Sequence, residues 1–121
     1  MSITSMNGVA PGPNAGAYAA TKAGVRLLTQ QMAVEWGPLG IRANAVAPGM
    51  IDGGMSAPIF ADPDFRRRRT AKVPAQRLGT LDDIAKAVMW MCSDDADYVT
   101  GEELVVDGDT GVVKLGEKAS D

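Results

Sequence analysis

The sequence predicts an α/β fold, a parallel sheet with helices on both faces, and three observations predict it. Short runs of apolar or hydroxylated residues at 1–6, 41–47 and 103–106 read as strands, and helical periodicity fills the intervals between them. The order strand–helix–strand–helix–helix–strand implies right-handed crossovers between strands that run the same way. The middle run, Ile-Arg-Ala-Asn-Ala-Val-Ala at 41–47, is mostly small and apolar, as expected of a strand covered on both sides.

Residues 1–6 read as the end of a strand. The next segment, 7–16, holds Gly8, Pro11, Gly12, Pro13 and Gly16, punctuation that predicts no regular structure. Residues 17–36 then turn helical. Val25, Leu28 and Met32 form one apolar stripe and Ala20, Ala23 and Leu27 another, which predicts burial on two sides. Small residues at Ala19, Ala20, Ala23 and Gly24 allow close backbone approach, and Gly37, Pro38 and Gly40 end the helix.

Pro48 and Gly49 break the second strand, and residues 50–58, rich in Gly and Met without a period, predict a mobile loop. Asp62 is placed to cap a helix with Pro63 at its first position, running to about Lys72. Thr80 and Asp83 resemble a capping box with Asp in the place of Glu. The helix they open has Ile84, Ala85, Val88, Met89 and Cys92 as its apolar positions. A last strand is predicted at 103–106, and residues 111–121 read as a polar, frayed end.

A length of 121 residues with 45% hydrophobic and 22% charged side chains suits one globular unit. The net charge of −3 gives no reason to expect a nucleic-acid partner. No apolar run approaches the roughly 20 residues of a membrane span, and no secretory leader is visible, so no membrane partner is expected. Cys92 is the single cysteine, which excludes an internal disulfide and fits a reducing, cytoplasmic setting. Histidine is absent, which removes Ser–His–Asp and Cys–His hydrolysis and most zinc sites; no metal is expected. Acid–base chemistry must fall to Tyr, Lys, Asp, Glu or Cys.

Tyr18 and Lys22 stand four apart at a helix start, so their side chains share one face. A phenol is a poor base near neutrality, but an ammonium within about 4–6 Å and the positive end of a helix both favour its phenolate. The pair therefore suits proton exchange in an alcohol/carbonyl interconversion. Alone it is a weak signal, equally compatible with a solvated helix face.

Its surroundings decide. Ser5 lies 13 residues before Tyr18, and Ser5…Tyr18-Ala-Ala-Thr-Lys22-Ala-Gly24 resembles the short-chain dehydrogenase/reductase family. Asn44-Ala-Val-Ala-Pro48-Gly49-Met-Ile51, Pro74-Ala-Gln-Arg77-Leu-Gly79 with Asp83-Ile84-Ala85, Tyr98-Val-Thr-Gly101-Glu102 and Val106-Asp107-Gly108 continue the resemblance in order along nearly the whole chain.

The resemblance implies a Rossmann-like fold and an enzyme using NAD or NADP to interconvert a secondary alcohol and a ketone. The substrate would be a small molecule: a sugar or polyol, an oxoacyl thioester, or a steroid-like ketone. It makes Tyr18 the acid/base, with Lys22 supporting it and holding the nicotinamide ribose, and Ser5 the holder of the substrate oxygen. Pro48, Gly49 and Ile51 would line the nicotinamide pocket, the Ile51 amide making the direct contact. The family commonly has Thr two residues after that Ile, where this chain has Gly53.

No G-x-x-x-G-x-G turn between a strand and a helix is present, nor the family's Asn before the Ser strand. Residues 1–121 are therefore expected to be the C-terminal catalytic half of such a domain. Expected partners are copies of the chain, since the Tyr18 helix packs across a subunit interface in the family, or a missing N-terminal half. The competing expectation is a truncated, non-catalytic product that folds only by docking onto another chain, because loss of the first strands bares a sheet edge.

Other residues read more plainly. Arg66 to Arg69 form either a solvated helix face offset by Asp62 and Asp64 or, from their place in the lid segment, a contact for an anionic substrate. Cys92 reads as a buried, inert thiol. Met50 and Met55 are candidates for touching an apolar substrate. Asp94, Asp95 and Asp97 read as a polar helix exit.

Overall fold

Three parallel strands organise the chain: β1 (Ser2–Ile3), β2 (Ala45–Pro48) and β3 (Glu103–Val106), with β2 in the middle. A computed structural model describes residues 1–110. Ser2 pairs with Ala45, and Ala45 with Glu103, so the carboxyl ends of the strands gather on one edge. Ala45, Val46 and Ala47 are all fully buried. Successive strand side chains point to opposite faces, so three buried in a row mean that both faces of β2 are covered. Small residues are what such a position tolerates.

The connections are helical: α1 (Met6–Val9), α2 (Gly16–Trp36), α3 (Ala57–Phe60), α4 (Pro63–Ala71) and α5 (Leu81–Cys92). The sequence predicts no regular structure directly after residue 6, yet α1 forms there. Ser5 caps it, its Oγ accepting the Asn7 amide at 3.1 Å, and one capped turn is short enough to precede the Gly/Pro run.

Helix α2 occupies the predicted span, but neither predicted stripe is its core line. Thr29 and Ala33 are its buried residues, while Ala20, Ala23, Leu27 and Leu28 are exposed. The Thr29 hydroxyl donates to the Val25 carbonyl at 2.8 Å, so a polar residue can take the central position without an orphaned group. Leu27, Leu28 and Val34 look outward, 57% to 75% exposed.

Helices α4 and α5 begin as predicted. Asp62 accepts the amides of Asp64 and Phe65, and Thr80 and Asp83 complete a capping box. The segment before α4, expected as a loop, contains a 3-10 turn, Gly54–Ser56, and α3. On α5 the inward line is Ile84, Val88 and Met91; Ala85, Met89 and Cys92 face out. Cys92 is thus exposed rather than buried, because Met91, only 1% exposed, takes the core position one residue earlier. Asp94–Ala96 forms a 3-10 turn. The predicted frayed end, 111–121, lies outside the described residues.

Polar ties lock the sheet to its helices. Arg42 donates to the carbonyls of Met91, Ser93 and Val99 at 2.9 to 3.2 Å, tying the end of α5 to the segment before β3. Buried Asn44 donates to the Val99 carbonyl at 2.8 Å and accepts the Glu102 amide at 3.0 Å, joining β2 to the entry of β3. Thr4 donates to Glu103 Oε2 at 2.6 Å, and Glu103, its side chain 7% exposed, pairs with Arg26 of α2 at 3.5 Å. Among the described residues no helix is long and apolar enough to cross a membrane.

Candidate active site

The carboxyl edge of the sheet gathers most of the residues singled out in the sequence. β1 leads through Thr4, whose amide donates to the Val46 carbonyl at 2.8 Å, to Ser5. Ser5 is 8% exposed, and its Oγ, already accepting the Asn7 amide, keeps its own hydrogen to donate elsewhere.

Tyr18 and Lys22 lie on the first turns of α2. The Lys22 ammonium sits 5.7 Å from the centre of the Tyr18 ring and donates to the Ile3 carbonyl at 3.2 Å. Helix α1 packs directly on α2 at this level. A Cβ on Gly8 would lie 2.9 Å from the Ala23 nitrogen and 3.1 Å from Lys22 Cβ, so only glycine permits the approach. Ser5 and Lys22 are therefore fixed relative to each other through Ile3 and Gly8. Sequence reasoning took Gly8 for loop punctuation; its position three residues after Ser5 was the available signal.

Pro48 ends β2, and the Gly49 amide donates to the Val106 carbonyl at 2.9 Å. Ser5 and Gly49 line one cavity of about 300 Å³, walled by Ile59, Phe60, Phe65 and Arg69 among others. Ile51 lines a second, of about 220 Å³, with Val106 and Asp107. Met50 lines both, Met55 is 85% exposed, and neither cavity is lined by Tyr18 or Lys22. The Ile51 amide has no acceptor among the described residues, since the bridge to Gly79 uses the Asp52 amide and the Met50 carbonyl instead. At Gly53, in extended backbone, a Cβ would sit 2.7 Å from Leu81 Cγ, so a threonine there would require Leu81 to move.

Arg77 and Asp83 form a two-point pair beside the second cavity, Nη1 to Oδ2 at 2.6 Å and Nη2 to Oδ1 at 3.0 Å. Arg77, with help from the Thr80 amide, holds the Asp83 carboxyl well below the usual carboxylate range, and Asp83 holds the Arg77 guanidinium above its ordinary value. A carboxyl depressed in the fold stabilises it in the ionised form. That contribution is fully present above the unfolded value, about 3.9, and is lost as the pH falls further toward the folded value. The melting-temperature gap between the native chain and Asp83→Asn should accordingly stay constant from about pH 7 to 5 and close below about pH 4. Circular-dichroism melts across that range check it; a gap closing near neutrality would contradict the assignment. Among the described residues no group of acidic or cysteine side chains could hold a metal ion.

Comparison with known proteins places this arrangement. Residues 1–110 match a family model described as Enoyl-(Acyl carrier protein) reductase. The chain is 42% identical over 108 residues to 3beta-hydroxysteroid dehydrogenase 1 of Eggerthella lenta, covering 89% of itself and 41% of that protein. It superposes on a gluconate 5-dehydrogenase from Burkholderia cenocepacia in complex with NADP and tartrate, with a TM-score of 0.83, 34% identity, and coverage of 91% and 43% of the two chains. It also superposes on 4-hydroxyisoleucine dehydrogenase complexed with NADH, with a TM-score of 0.82, 31% identity, and coverage of 88% and 44%. The chain thus spans less than half the length of these relatives. With its parallel sheet, its helices and a match running from residue 1 to 110, it belongs to the short-chain dehydrogenase/reductase family.

Proposed function

We propose that this chain supplies the C-terminal catalytic half of an NAD(P)-dependent oxidoreductase interconverting a secondary alcohol and a ketone. The observation that carries the reading is the Tyr18–Lys22 pair, tied through Lys22 to the Ile3 carbonyl two residues from Ser5. Tyr18 gives a proton to the substrate oxygen in reduction and takes it in oxidation. Lys22, beside the Tyr18 ring, holds the nicotinamide ribose. Ser5, its Oγ accepting the Asn7 amide, donates its own hydrogen to the substrate oxygen and stabilises charge developing there.

Pro48, Gly49 and Ile51 are the residues that fit the nicotinamide. A side chain at 49 would be blocked by Asp107, which keeps that edge clear, and the Ile51 amide is a donor without an acceptor among the described residues. When bound, the dinucleotide supplies or accepts the hydride at the substrate carbon. The relatives named above act on steroids, sugar acids and a hydroxylated amino acid, in keeping with a sugar or polyol, oxoacyl or steroid-like substrate. The outward apolar row of α2, Leu27, Leu28 and Val34, supports association with a second copy or with an N-terminal half. The same row favours a second reading, a non-catalytic chain that folds by docking onto another.

Titration of the purified chain with NADH and NADPH, following cofactor fluorescence, separates the two readings. Saturable binding of either dinucleotide supports the oxidoreductase. A folded chain that binds neither, alone or with an added N-terminal half, overturns it.

A further inference from the structure

Four consecutive arginines stand on α4, and the structure gives them different surroundings. Arg66 pairs with Asp52 and Arg67 with Asp64, both at the surface. Arg68 and Arg69 flank the Phe65 ring, their guanidinium carbons 6.0 and 5.0 Å from its centre. Of the four, only Arg69 lines the cavity that holds Ser5, and among the described residues it is the only charged one lining it. It is half-buried, and no described carboxylate pairs with it.

Met6, Met50, Ile59, Phe60 and Phe65 give that cavity apolar walls, and Asn7 and Ser56 add polar ones. A guanidinium among such walls interacts with an anion more strongly than it would in water. Its planar fork matches a carboxylate at two points, and its place over an aromatic ring limits the orientations it must give up on binding. The cavity, about 300 Å³, suits a small molecule whose reacting oxygen meets Ser5 while its far end meets Arg69.

We infer that Arg69 is a specificity-determining residue that selects a small hydroxy- or oxo-carboxylate, binding its carboxylate in the cavity where Ser5 binds the reacting oxygen. The inference rests on the oxidoreductase reading for what happens at Ser5, but the anion site can be measured without turnover. It also separates Arg69 from its three neighbours, which remain a solvated helix face.

The test is binding without cofactor. Lactate and gluconate are each compared with the neutral alcohol bearing CH2OH in place of the carboxylate, by NMR of the Met6, Met50 and Ile59 methyl groups. The acids should bind about 10- to 100-fold more tightly than their neutral partners at low salt. Arg69→Met should bring that ratio close to one, Arg69→Lys should keep part of it, and Arg68→Met, outside the cavity, should leave it unchanged. Should Arg69→Met fail to fold, Arg69→Gln is read in the same way. A native ratio near one, or a ratio that survives loss of the Arg69 charge, overturns the inference. Acid binding through Arg69 in a chain that takes up neither dinucleotide, alone or with an added N-terminal half, would sink the oxidoreductase reading and leave the anion site standing.

Discussion

Replacing Tyr18 with Phe is expected to lower alcohol–ketone turnover by roughly 10²- to 10⁴-fold, the range for loss of a positioned acid/base, with the melting temperature unchanged. The two halves of that expectation have separate grounds. Tyr18 is 42% exposed and its hydroxyl makes no hydrogen bond among the described residues, so removing it breaks nothing in the fold. The ring that remains still stands 5.7 Å from the Lys22 ammonium, so the helix surface keeps its packing. What disappears is the single oxygen able to pass a proton at that place. The assay is the change in NAD(P)H fluorescence with a secondary alcohol; turnover retained by the variant would refute the role given to Tyr18. Lys22 cannot be tested so cleanly, because it also holds the Ile3 carbonyl and its loss would disturb β1.

Gly49→Ala is expected to destabilise the chain by about 1–3 kcal/mol, toward the upper end of what overpacking costs. The added Cβ would lie 2.6 Å from Asp107 Cα, and an α-carbon cannot rotate aside as a side chain does. Nor can the two strands part easily here, since the Gly49 amide is bonded to the Val106 carbonyl. The strain would fall on the cavity edge that Gly49 shares with Ser5, so substrate binding should weaken as well. Urea unfolding gives the first quantity. A variant as stable as the native chain would show that the ends of β2 and β3 yield more readily than their hydrogen bonding suggests.

Helix α5 marks how far periodicity alone could be read. Its start was legible because Thr80 and Asp83 form a capping box, a local arrangement spelled out within four residues. Its inward face was not, because Ile84–Val88–Met91 and Ala85–Met89–Cys92 are parallel lines of equal period one residue apart. Only the sheet beneath chooses between them, and it chose the line containing Met91. Thr29 escaped for a related reason. A hydroxyl satisfied by its own helix behaves as an apolar group, and nothing in its residue type announces that. In the candidate site, Tyr18, Lys22 and Ser5 were singled out because their spacing, together with the motifs that follow, resembles one family. Gly8 was not, because its part depends on Ala23 lying opposite it, and the four arginines, singled out only as a group, could not be told apart until the structure set Arg69 alone of them at the Ser5 cavity.

The bond from Thr4 to Glu103 spans 99 positions of the chain, and β1 reaches β2 across about 40. Among the described residues no strand has a hairpin partner, so this sheet does not nucleate from a local turn. Each loop closure costs entropy before the sheet can offset it, and folds dominated by such distant pairings are slow to form. Ser5 follows Thr4 directly, so its place depends on these distant pairings. The helix bearing Tyr18 and Lys22 can form early from local contacts, but Ser5 reaches its place beside Lys22 only when β1 has found β2.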